Sequence, residues 1–144
     1  MKSTKFIALD QSDKDWWIVD GTDQILGRLA SAIATKIKGK DKVSYSPHHD
    51  NGDFVVVVNC QNIVCTTKEK KIWWHTGYPG GIRSKLAKDE SPERLLTNAV
   101  RRMLPRGPLA RQMLKKLKVY NDTNHPHEAQ SPKALTLGKV RGDQ

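Results

Sequence analysis

Apolar and polar positions along this chain of 144 residues follow two rhythms, and the switches between them mark out its elements. "WWIVD" (16–20) is a short apolar run closed by an acid and reads as a buried strand. From Gly21 the spacing becomes helical: Leu26, Leu29, Ala30, Ile33 and Ile37 share one face, Thr22 or Asp23 is placed to cap the start, and Gly39 to end it. Gly27 inside this helix costs about 1 kcal/mol relative to alanine, which predicts that a neighbouring backbone comes close there. Asp50-Asn51-Gly52-Asp53 then predicts a tight turn. "FVVVVN" (54–59) follows with no polar face, so both of its faces need cover, as in a parallel sheet. "IVCT" (63–66) extends or follows it.

"KKIWWHTGY" (70–78) reads as a third strand running into the loop "GYPGG". Residues 91–104 predict a second helix, with Ser91 as N-cap, Pro92 at the first position and Glu93 in the first turn. Its apolar stripe is Leu96, Ala99, Val100 and Met103, while Arg94, Asn98, Arg101 and Arg102 project from the other side. A third helix, from about Pro108 to Leu117, leads to a short strand, "KVYN". Pro105, Gly107 and Pro108 keep the two helices from merging. The element order is that of an α/β fold. The length suits one domain, placed at 16–121 between an N-terminal extension (1–15) and an extended C-terminal arm (122–144).

Charge narrows the picture. The formal net charge is +10, and residues 36–118 alone hold 18 basic against seven acidic side chains. No acid lies between Glu93 and Asp122. An ordinary solvated face mixes signs to gain helical ion pairs, whereas this run repels itself unless a polyanion is present. On a helical wheel Leu109, Met113, Leu114 and Leu117 form an apolar arc, with Arg111, Lys115, Lys116 and Lys118 opposite. That arc lacks tryptophan and phenylalanine and is needed to cover the sheet, which disfavours a membrane-surface helix. The longest apolar run, Phe54 to Val58, is far short of the roughly 20 residues that span a bilayer. The first residues fit neither a secretory signal nor a transit peptide.

The polyanion is read as RNA rather than DNA. No helix-turn-helix, zinc-ligand or zipper pattern is present, and the basic groups are spread over loops and helix ends. The glycines of "GYPGG" let backbone approach a phosphate or sugar, and Tyr78 is placed to stack on an unpaired base. Other chemistry fits poorly. The five histidines lack metal-site spacing, and Cys60 and Cys65 read as buried thiols. "GTDQILGR" is neither a dinucleotide fingerprint nor a P-loop, and Asp20, Asp23, Asp50 and Asp53 suit caps and turns better than acid–base work. No cofactor, metal or small-molecule substrate is expected. Two rivals stay open at this level: a regulator that binds messenger RNA or DNA, and a small nucleotide-dependent enzyme.

"WWIVDGTDQILGRLASAIA", "YSPHHDNGDFVVVVN", "HTGYPGG", "PERLLTNAVRRMLPRGPLARQMLKKLKVY" and "HPHEAQSP" occur in this order. Together they resemble the bacterial large-subunit ribosomal protein L13 family over most of residues 16–132. The resemblance implies a three-layer α/β/α domain around a four-stranded, largely parallel sheet. It also implies a non-catalytic protein that binds ribosomal RNA early in large-subunit assembly, beside other ribosomal proteins, on a cytoplasmic or organellar ribosome. Residues and resemblance together nominate as RNA contacts Lys36, Lys38, Lys40, Lys42, His48, His75, Tyr78, Gly80, Gly81, Arg83, Lys85, Arg101, Arg102, Arg106, Arg111, Lys115, Lys116 and Lys118. The chain departs from the family pattern at Cys65-Thr66-Thr67-Lys68, in a shortened segment before Ile72, and at Leu109-Ala110-Arg111.

Overall fold

The structure, a computed structural model, describes residues 14–66 and 69–137. Most of the expected N-terminal extension lies outside that range, as do Thr67 and Lys68 in the departing turn. Four strands form one sheet in the order β5-β2-β1-β6, all paired in parallel: β1 (Trp16–Asp20), β2 (Phe54–Val58), β5 (Leu117–Val119) and β6 (Lys133–Ala134). Parallel neighbours require crossovers. The first is α1 (Leu26–Lys38), between β1 and β2; the second includes α2 (Pro92–Met103) and α3 (Pro108–Leu114), between β2 and β5.

The apolar patterns explain the packing. Leu29, Ile33 and Ile37 of α1, Leu96 and Val100 of α2 and Met113 of α3 form one core with Val55 and Val57 of β2. Each fully buried side chain of this size contributes about 1.5–3 kcal/mol, so truncating Ile33 to alanine should cost about 2–5 kcal/mol. Val56 and Val58, on the alternate positions of β2, are also buried. On that other face Trp16 stacks on Phe54 with ring centroids 4.4 Å apart, and His127 of the C-terminal segment lies 5.1 Å from Trp16. The α/β class and the four-stranded parallel sheet are therefore as expected, with the three helices in one core, which Leu135 and Leu137 join, and His127 of the C-terminal segment against the opposite face.

Several local expectations are corrected. Ile25, not Thr22 or Asp23, is the N-cap of α1, and it has no side-chain cap. The helix start is held by backbone instead: Leu26 N–H donates to the Val64 carbonyl and Val64 N–H to that of Gln24. Thr22 is engaged upstream, where its N–H and hydroxyl both donate to Asp20. A hydrogen bond from Asn59 and those from Thr22 hold the Asp20 carboxyl below the usual range. Gly39 does end the helix, in the left-handed conformation.

The close backbone approach is at Gly52 rather than Gly27. A Cβ on Gly52 would stand 1.7 Å from the Ile37 carbonyl oxygen, whereas one on Gly27 would meet nothing within 4 Å. The third predicted strand is β3 (Lys71–His75), but it leaves the main sheet to form an antiparallel hairpin with β4 (Ile82–Leu86). The fourth strand of the sheet is β6, in the segment expected to be an arm. The third helix stops at Leu114, because Leu117 already belongs to β5.

Candidate nucleic-acid interface

The junction of α2 and α3 forms a cleft of about 570 Å³. Val100 and Leu104 anchor the end of α2 in the core. Gly107, at φ 125°, lets the chain reverse, and Pro108 starts α3. Arg101, Arg102, Arg106 and Arg111 line the cleft around Leu104, Pro105 and Ala110. All four arginines are exposed, and among the described residues none is ion-paired. Guanidinium groups around a concave, acid-free surface suit bidentate contacts to phosphate. Lys115 is exposed next to α3, and Lys118 is half-buried on β5.

Lys116 does not belong to this face. Its side chain is 4% exposed, and its ammonium donates to the Ile37 carbonyl at 2.9 Å and pairs with Asp50. Burial holds Lys116 below the usual lysine range, while the hydrogen bond and charge of Asp50 pull it back up. A helical wheel sets Lys116 opposite the apolar arc, but α3 ends at Leu114, two residues earlier, and the side chain turns inward.

The lysines at the end of α1 are also partly engaged within the protein. Lys36 pairs with Asp41 at 2.6 Å and lies over the Trp17 ring, and Lys42 pairs with Asp53 at 2.5 Å. Asp53, 1% exposed, also accepts from Trp17 Nε1 and from the Asp15 N–H. Asp50 thus ties the 42–53 segment to Lys116, which also reaches the end of α1, and Asp53 ties it to Trp17 of β1, which accounts for both carboxylates structurally. Lys40 and His48 are exposed, and Lys38 lies 5.8 Å from the Tyr45 ring.

The β3–β4 hairpin gathers the third group. His75 Nδ1 accepts from the Gly77 N–H at 2.9 Å, and Thr76 N–H donates to the Gly81 carbonyl. Gly81 is required by close approach, since a Cβ there would lie 2.1 Å from Thr76 Oγ1. This turn leaves Tyr78 75% exposed beside the exposed Gly80. Arg83 is exposed on β4, while Lys85 pairs with Glu90 at 3.7 Å. Sequence reasoning missed Trp73 and Trp74, both exposed on this hairpin. Their adjacency was the available signal: neighbours on a strand point to opposite faces, so a two-stranded ribbon cannot bury both.

The family model described as Ribosomal protein L13 matches residues 14–126, which contain the arginine cleft and the hairpin. The chain belongs to the ribosomal protein L13 family. Large ribosomal subunit protein uL13 of Oleidesulfovibrio alaskensis is 52% identical over 130 residues, covering 86% of this chain and 90% of the relative. The protein of the same name from Dictyoglomus thermophilum is 50% identical over 134 residues, 89% of this chain and 94% of the relative. That from Allorhizobium ampelinum is 49% identical over 135 residues, 89% and 88% respectively. Members of the L13 family are named as ribosomal proteins, a structural and non-enzymatic class.

Proposed function

We propose that the chain is a structural constituent of the large subunit of a cytoplasmic ribosome, where it binds ribosomal RNA and helps one RNA fold prevail during assembly. The observation that carries this reading is the α2–α3 cleft, where four exposed arginines stand without ion pairs among the described residues. The family's large-subunit names supply the setting. The exposed hairpin, with Tyr78 and Arg83, adds an aromatic and a cation beyond the cleft. Neighbouring ribosomal proteins complete the surroundings. The other exposed candidates, Lys40, His48, His75, Gly80 and Lys115, give further places for phosphate or sugar contact.

Co-sedimentation with large subunits at rising salt tests the reading, together with binding to ribosomal RNA fragments and messenger segments at matched salt. Retention on the large subunit and a clear preference for ribosomal RNA are expected. Equal affinity for ribosomal and messenger segments would replace the scaffold with a general RNA binder.

A further inference from the structure

A second groove, of about 410 Å³, opens beside the arginine cleft, between the start of α1, β3 and α2. We infer that it receives one unpaired nucleobase of the RNA whose phosphates occupy the cleft, an inference that rests on the RNA reading above. The groove has walls of Leu26, Leu95, Ala99 and Met103, and its volume lies within the roughly 300–1,000 Å³ typical of small-ligand sites. Asn98 stands on the same face of α2, three residues after Leu95 and four before Arg102. Its half-buried amide makes no side-chain hydrogen bond among the described residues. A carboxamide carries both donor and acceptor, the pattern that reads a base edge.

Arg102 decides the occupant, because it lines both the groove and the cleft. A phosphate held by Arg102 brings its own nucleoside to the groove mouth, where Lys70 supplies a second cation. The apolar side chain of a protein neighbour would fill the walls but leave the Asn98 amide unbonded and both cations unanswered. A nucleotide satisfies all three: ring against apolar walls, base edge on Asn98, phosphate on Arg102.

The test uses the full chain and two RNA hairpins that are identical except for a single unpaired adenosine. The bulged hairpin should bind roughly tenfold tighter at matched salt, the scale of one stacked base. In a third probe 2-aminopurine replaces that adenosine, and its fluorescence should change on binding. Asn98→Ala and Met103→Ala should each reduce the preference while leaving affinity for the unbulged hairpin unchanged; Met103 is 44% exposed, so its truncation spares the core. Equal wild-type affinity for the two hairpins, or a preference that survives both substitutions, overturns the base site and leaves the phosphate cleft standing. Absence of binding to either hairpin at low salt overturns the RNA reading itself. A peptide rather than a nucleotide cross-linked to Met103 in assembled large subunits overturns the inference in favour of a protein neighbour.

Discussion

Replacing Lys116 by methionine keeps the apolar stem and removes the ammonium that joins β5 to the end of α1 and to Asp50. Two groups are affected: the Ile37 carbonyl loses the Lys116 donor, and Asp50 is left with Lys14, at 3.6 Å, as its ion-pair partner. Removing one member of a buried ion pair costs about 3–5 kcal/mol, and the surviving Lys14 pairing puts this case at the low end, near 3 kcal/mol. For a chain of this size that corresponds to a fall in Tm of roughly 10 °C. Urea unfolding followed by tryptophan fluorescence should show the midpoint falling while the slope m stays constant. Adding Asp50→Asn should recover at least half of the deficit, because the buried carboxylate charge, weakly compensated by Lys14, is then gone. The dependence of RNA affinity on salt should not change in Lys116→Met. A single variant within 1 kcal/mol of wild type, or a double variant no more stable than the single, would refute the clamp.

Gly27→Ala should stabilise the chain by up to about 1 kcal/mol, since its Cβ enters open space in a helix. Gly52→Ala should destabilise it by about 2–4 kcal/mol through collision with the Ile37 carbonyl; thermal melts of the pair check both signs. Changing Arg111 and Lys115 to alanine should make the slope of log K against log salt shallower, by roughly 0.7–0.9 for each phosphate that is no longer neutralised. An unchanged slope would show that both face ordinary solvent. His127 is held below its usual value of 6.5 by burial first, then by Lys118 and His125, so the unfolded chain takes up the proton before the folded one does. Its contribution to stability should therefore be complete above about pH 6.5 and be lost as pH falls below it. Urea midpoints across that range should decline, and His127→Phe should flatten the decline.

The sheet and helices were legible where a pattern was long and one-sided. The α1 stripe, the all-apolar β2 and the Ser91-Pro92 helix start all formed as read, although Ser91 makes no side-chain cap bond. Three of the misreadings share a cause: each depended on a partner distant in sequence. Gly52 matters because of Ile37, the start of α1 is held by Val64, and Lys116 turns inward because Asp50 awaits it. β3 looked like a sheet strand because "KIWW" has strand propensity, yet its pairing with β4 depends on a turn built by Thr76 and Gly81. In the candidate site, charge alone pointed to the arginines. Composition could not show which lysines are already paired, or that Arg102 borders two cavities.

The pairing of Trp17 with Lys133 bears on how the molecule is made. β1 leaves the synthesising ribosome before the other elements described, but its outer neighbour emerges only after α1, β2, α2, α3 and β5 have been translated. At roughly 5–20 residues per second, one edge of β1 therefore stays unpaired for on the order of several seconds after β2 has appeared. Throughout that interval the nascent protein exposes an open parallel edge beside Trp17. The acquisition of Lys133 and Ala134, rather than completion of the helices, is then the step that closes this side of the sheet.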